Sequence, residues 1–199
     1  MTLTLSLSMA AFALAASISP GPVNLVALAS GTRHGFRASL RHVTGATLGF
    51  TLLLVMIGLG LHEMLARWPG ILGAVRWAGV AFLLYMAYRL VADDGRLEGA
   101  DGGAGPSMLV GATMQWLNPK AWLASLAGMG AYAASGDLAL VGWFAALYFV
   151  ICFLSIGCWA YAGAFLRRFL RHLGQVRAVN RLLALLLVAS AGYLVIARL

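Results

Sequence analysis

Ser19-Pro20-Gly21-Pro22-Val23-Asn24 and Gln115-Trp116-Leu117-Asn118-Pro119-Lys120 decide the fold of this chain. Both lie inside apolar stretches, and both put proline where an unbroken helix is expected. Proline lacks a backbone donor and its ring collides with the preceding turn, so each cluster interrupts the helical hydrogen-bond ladder. In hydrocarbon the carbonyls freed in this way are tolerated only where protein buries them or a wet cavity receives them. Each half of the chain therefore opens on an apolar helix that breaks and restarts. Paired interruptions of this kind point to a binding site near the bilayer midplane.

The surroundings of the two clusters suit lipid. Of 199 residues, 62% are hydrophobic and 10% charged, with mean hydropathy +0.89. Soluble domains carry about 25% charged residues. A formal charge of +8 and an isoelectric point near 10.3 raise the question of nucleic acid. The arginines gather between apolar spans instead of along one face, which membrane topology explains without such a partner. Membrane lipid is the expected surrounding. Residues 1–19 carry no Lys or Arg, and the apolar character runs on through residues 23–29. A signal peptide's charged leading region is missing, so a retained first helix is expected.

Six apolar segments approach the roughly 20 residues needed to cross a bilayer: Leu3–Ser30, Leu40–Leu61, Gly70–Leu90, Met108–Ala133, Leu138–Phe165 and Asn180–Ala197. The predicted fold is an all-α integral membrane protein with six transmembrane helices, the first and fourth broken at the proline clusters. One set of connections holds Arg33, Arg37 and Arg41, then Arg89 and Arg96, then Arg167, Arg168, Arg171, Arg177 and Arg181; the other holds Arg67, Arg76 and Arg198. The positive-inside bias assigns the first set to the cytoplasm and both termini to the outside. Residues 93–107, rich in glycine and acids, read as a cytoplasmic linker. They divide one transporter domain, 1–199, into halves of three spans, 3–92 and 108–199. An odd number of spans per half implies inverted topology. A shift of 97 residues lays Pro22 on Pro119, Gly31 on Gly128, Gly45 on Gly142 and Gly60 on Gly157.

The run Ser19-Pro20-Gly21-Pro22, then Gly31, Gly35, Gly45 and Gly49, then Gln115 with Asn118-Pro119-Lys120, resembles the LysE/RhtB family of bacterial amino-acid exporters. The likeness covers essentially the whole chain. Residues 35–41, 45–50 and 167–174 look closest to the branch of cysteine/O-acetylserine exporters. The resemblance implies an inner-membrane secondary transporter that exports small amino acids or related metabolites on an ion gradient, plausibly by proton exchange. Many members carry an acid in the second span where this chain has Phe50. That departure puts a coupling role for such a carboxylate in doubt and argues against lysine or arginine as cargo.

Read as chemistry, Pro20, Gly21 and Pro22 either kink a helix for packing or turn a restarted helix end toward a cavity. Such an end carries partial positive charge and unpaired N–H groups suited to a carboxylate, and Asn24 adds a directional hydrogen bond. Lys120 is the only lysine and lies deep in its apolar segment, where insertion costs about 2.5–3.5 kcal/mol. It either meets a substrate carboxylate beside Pro119 or bonds carbonyls of the broken helix. Gln115 and Asn118 lie one turn apart and line the same cavity or satisfy the backbone. Gly45 and Gly49 form a GxxxG pair for close helix packing. Cys152 and Cys158 are expected to be buried and inert. His34, His42 and His172 are expected at the cytoplasmic surface, and His62 with Glu63 near an external helix end. The basic stretch Arg167–Arg181 reads as an interfacial helix. No His, Cys and carboxylate spacing suits a metal, and no cofactor is implied. A homodimer fits so short a chain with many small-residue faces. The rival readings are an assembly or structural subunit and an integral membrane enzyme. The second needs a nucleophile and base within reach of a cleft.

Overall fold

Helix α1 (Leu3–Ile18) begins where the Thr2 hydroxyl accepts the Leu5 amide, and ends at extended Ser19. Helix α2 (Pro22–His34) restarts with Pro22 in its first turn, a position where the missing donor costs nothing. The two helices meet at 61°. Gly35 then turns the chain with φ +81°, a left-handed conformation that glycine adopts freely, into α3 (Phe36–Met56). A π-helical turn (Ile57–Leu61) closes α3. There follow α4 (Pro69–Val91), α5 (Met108–Trp116), α6 (Pro119–Tyr132), α7 (Leu138–Leu166), a 3-10 turn (Arg167–Phe169) and α8 (Leu173–Ile196). The structure, a computed structural model, describes residues 2–61, 69–94, 107–134, 136–170 and 172–196. Residues 95–106 of the expected linker and the expected His62–Glu63 pair lie outside the described residues.

Polar side chains share the interior with an apolar core, and many large apolar side chains lie on the outside. Asn24, Ser30, Thr32, Ser39, His42, Thr47, Gln115, Asn118 and Ser125 are buried, while Leu52, Leu109, Leu154, Leu182 and Leu185 are more than half exposed. Apolar surface on this scale needs a nonaqueous neighbour. The helices α3, α7 and α8 are long and apolar enough to cross a membrane, and the bent α1–α2 pair is so when its two helices are taken together.

Contacts run chiefly between the halves: α2 on α7, α3 on α5, and α4 on α8. Glycines permit the closest of these. A Cβ at Gly31 would lie 2.0 Å from the Ala160 carbonyl oxygen, and one at Gly163 would lie 2.0 Å from that of Leu28. At the same crossing the Thr32 hydroxyl donates to the Leu28 and Gly163 carbonyls at 3.0 and 3.3 Å. On α3, a Cβ at Gly45 would come 1.9 Å from the Met108 carbonyl oxygen, and one at Gly49 2.7 Å from the Ala112 Cα. Gly111 answers from α5, against the His42 carbonyl oxygen at 2.4 Å. Of the glycines matched by the 97-residue shift, Gly128 packs closely, with a Cβ there 2.8 Å from a Phe144 ring carbon, whereas Gly142 and Gly157, like Gly60, face open space.

Three expectations need correction. The basic stretch is not one interfacial helix. A 3-10 turn ends at extended Leu170, and α8 then starts at Leu173, seven residues ahead of the expected Asn180. Cys152 is buried as expected, but Cys158 is exposed, because it lies on a different face of α7. His42 is fully buried instead of superficial, since α3 begins at Phe36 and carries it inward on the same face as Ser39 and Ala46.

Gly163→Val is expected to cost about 1–3 kcal/mol through overpacking at the α2–α7 crossing. Gly142→Val, which faces open space, is the matched control. Denaturant unfolding of the purified proteins in detergent measures both. Equal midpoints would contradict this packing.

Candidate functional site

Five consecutive carbonyls, from Ala16 to Pro20, surround the first break, and each has a side-chain donor. The Ser19 hydroxyl donates to Ala16 O at 3.2 Å. The Asn24 amide donates to Ser17 O and Ser19 O, both at 2.9 Å. The Trp159 indole donates to Ile18 O at 3.0 Å from α7. The Lys120 ammonium donates to Ser19 O and Ser19 Oγ at 2.8 Å each, and to Pro20 O at 3.4 Å. A helix end buried away from water needs this kind of satisfaction.

The second break is closed mainly by its own residues. Asn118 Oδ1 caps the Lys120 amide at 3.2 Å, and its amide donates to Gln115 Oε1 at 3.4 Å. The Trp122 indole donates to Trp116 O at 2.7 Å. The Leu117 carbonyl meets Gly79 of α4, where a Cβ would stand 2.3 Å from the oxygen.

Electrostatics explains why Lys120 reaches across. It is the second residue of α6, and a cation at a helix N-terminus opposes the helix dipole. Its ammonium instead meets the C-terminal carbonyls of α1, the negative end of another dipole. Gly21 leaves room for the lysine stem, since a Cβ there would lie 3.3 Å from Lys120 Cδ and Nζ. The first turn of α2 has no side-chain cap, so its N–H groups remain available to an anion.

Beneath the bridge lies a cavity of about 40 Å³, bordered by Ser17, Asn24, Phe50, Gln115, Lys120 and Tyr148. That volume admits water but not an amino acid. Beyond the bridge a groove of about 550 Å³ runs between Pro22, Leu25, Pro119, Leu123 and the α8 residues Ser190 and Tyr193. Gly21, Asn118 and Lys120 border both spaces, which makes the lysine bridge the partition between them. A third cavity, about 410 Å³, opens at the arginine-rich end among Ser30, Arg33, Arg89, Asp93 and Asn180. There an ion pair between Arg33 and Asp93 ties α2 to the end of α4. At the opposite end a cavity of about 490 Å³ is bordered by Ile57, Gly60, Met129, Gly130 and Leu138.

Pro20, Gly21, Pro22, Asn24, Gln115, Asn118, Pro119 and Lys120 thus converge on one region. Gly45 and Gly49 lie on the α3–α5 contact instead. Sequence reasoning missed Ser17, Tyr148 and Cys152 as cavity walls, and Trp122 and Trp159 as donors to freed carbonyls. Phe50 was noticed only as a departure. It stacks on Tyr148 with ring centroids 4.5 Å apart and closes the cavity wall. Its neighbour Gly49, at the helix contact, was the available clue to its inward face.

Exposed apolar helices around a polar cluster at two helix breaks are the features of a multi-pass membrane protein. Residues 14–198 match the model described as LysE type translocator, and the chain belongs to that family. A cysteine/O-acetylserine efflux protein of Escherichia coli (strain K12) is 33% identical over 196 residues, covering 96% of this chain and 97% of that protein. A protein of the same description from Salmonella typhimurium is 30% identical over 186 residues, covering 90% and 92%. No solved structure matches the chain.

Asn24→Leu removes the donor to Ser17 O, and an unsatisfied buried carbonyl costs about 1–3 kcal/mol. The variant is expected to unfold at correspondingly lower denaturant in detergent. An unchanged midpoint would show that the amide does not hold the break.

Proposed function

We propose that this chain is a six-span secondary transporter that exports small neutral amino acids or related metabolites across the bacterial inner membrane by alternating access. The single observation that carries the reading is the Lys120 ammonium seated on the Ser19 and Pro20 carbonyls, over a cavity and beside an uncapped helix start.

The chemistry is an exchange of one ammonium for another. In the closed arrangement Lys120 occupies the carbonyl cage. An arriving amino acid offers its carboxylate to Lys120 and to the free N–H groups of α2. Its own ammonium then takes the carbonyls that Lys120 leaves. The bridge that separated the small cavity from the groove is withdrawn, and the space enlarges around the substrate. Neutral side chains suit walls that carry one cation and no carboxylate. Cysteine and O-acetylserine, named for the relatives, have the required size and charge.

Six crossings count α4 and the broken α5–α6 pair with the four spans already described. Contacts of the first span with the fifth, the second with the fourth and the third with the sixth support two inverted halves, because exchanging the halves maps this set of pairs onto itself. The arginine-rich cavity then faces the cytoplasm and receives substrate. An ion gradient drives export. The exposed apolar helix faces meet lipid, and a second copy of the chain can cover part of them as a homodimer. An assembly subunit has no use for cavities at the centre and at both ends around a half-buried ammonium.

Purified protein in liposomes loaded with labelled cysteine, O-acetylserine, threonine, leucine or lysine tests the proposal. A charge-assisted hydrogen bond contributes about 1.5–3 kcal/mol, so Lys120→Ala is expected to slow efflux by about tenfold to a hundredfold. A folded Lys120→Ala protein that exports at the normal rate would remove the lysine from the mechanism.

A further inference from the structure

We propose that His42 is the group that binds and releases a proton during the transport cycle; this deepens the exporter reading and rests on it. His42 is 0% exposed, and neither ring nitrogen has a hydrogen-bond partner among the described residues. The main chain of Val23, in the first turn of α2, stands beside the ring without meeting hydrogen-bond geometry. Imidazole is the side chain that ordinarily gains or loses a proton between about pH 5 and 8. A buried ring with idle nitrogens between two packed helices is poorly explained as packing, because a phenylalanine would fill the space without orphaning polar atoms.

Its position joins the two relevant spaces. Val23 borders the central cavity, and Ser30 borders the cavity at the arginine-rich end. One turn before His42 on α3, Ser39 shares a 2.7 Å hydroxyl contact with Ser30 of α2. The Ser39 hydroxyl also donates to the Gly35 carbonyl at 2.8 Å, so Ser30 is the donor of this contact, and the pair forms a polar link toward the outer cavity. The order is therefore central cavity, Val23, His42, Ser39 with Ser30, outer cavity.

The charged and titratable surroundings leave the task to this residue. Helices α2, α5, α6 and α7, all packed against α3, contain no carboxylate. From α6, Lys120 stands at the central cavity with Tyr148 and Cys152 of α7. Elsewhere α6 has Tyr132, bonded to Ser8, and α7 has exposed Cys158 and Tyr161, the latter against Phe36. Arg33 and His34 of α2 border the outer cavity. On α3 itself Arg37 and Arg41 are exposed. An imidazolium has two donors and a full charge, and the closed slot offers no counter-charge and, for two N–H groups, only the neighbouring main chain of Val23. Protonation thus favours an arrangement in which the first turn of α2 moves off α3 and water reaches the ring. The step balances simply. A proton from water on the central side adds to a ring nitrogen lone pair, and the imidazolium returns one N–H proton to water on the cytoplasmic side. One proton enters as one substrate leaves.

The experiment uses the full chain in liposomes with labelled O-acetylserine. Exchange of labelled for unlabelled substrate at equal pH is compared with net export driven by a pH difference. In wild-type protein the pH difference is expected to accelerate net export. In His42→Gln exchange is expected to persist while that acceleration falls to unity. The double variant His62→Gln/His172→Gln is expected to keep the acceleration. Wild-type acceleration in His42→Gln overturns the assignment, as does its loss in a double variant that still exchanges. If His42→Gln does not purify in folded form, His42→Asn takes its place, with the same result expected and the same result overturning the assignment. Wild-type exchange with no response to pH refutes proton coupling and leaves the exporter reading standing. No exchange by the wild-type protein refutes both.

Discussion

The ammonium of Lys120 on the carbonyls of Ser19 and Pro20 is the contact on which the rest of the structure turns. Two features, each unfavourable alone, meet there. A helix broken inside hydrocarbon exposes carbonyls that have no water to receive them, and a lysine far from the interface carries charge without solvent. Set together they satisfy one another. The contact also joins residues 101 positions apart in sequence, so it fastens the first half of the chain to the second at their interruptions.

The groups that hold the lysine are oxygens of a helix end, and in the proposed cycle a substrate ammonium would compete for them on equal chemical terms. Asn24 and Trp159 donate to the neighbouring carbonyls independently of Lys120. His42 of α3 stands beside Val23, in the first turn of the restarted helix, so in the proposed cycle a change at the break and a change of protonation would act on the same piece of backbone.

Much of this was legible in the residues. Proline inside an apolar stretch announces a break whatever the tertiary structure, and a lone lysine among apolar neighbours announces a partner. The partner itself was not legible, because a contact between Ser19 and Lys120 depends on how six segments pack. The tryptophans were opaque for a similar reason. An indole near a membrane suggests an interfacial anchor, and only the fold aims Trp122 and Trp159 at freed carbonyls. His42 was misjudged because Arg37 and Arg41 drew it toward the surface. The spacing of Ser39, His42, Ala46, Gly49 and Leu53, all buried, traces one helical face and contained the correct answer. Glycine coincidences between the halves were the weakest guide, since Gly45 packs against backbone while its match Gly142 faces open space.

Because Lys120 is the only lysine in the chain, protein made with heavy-nitrogen lysine has one side-chain ammonium signal, which magnetic resonance in detergent or nanodiscs can follow. Titration with O-acetylserine or cysteine measures directly whether that ammonium changes partners. The result expected is a saturable shift of this resonance, absent with a carboxylate-free analogue of the same size. A resonance that stays fixed while substrate is being exchanged would contradict the lysine bridge as the element that opens the site.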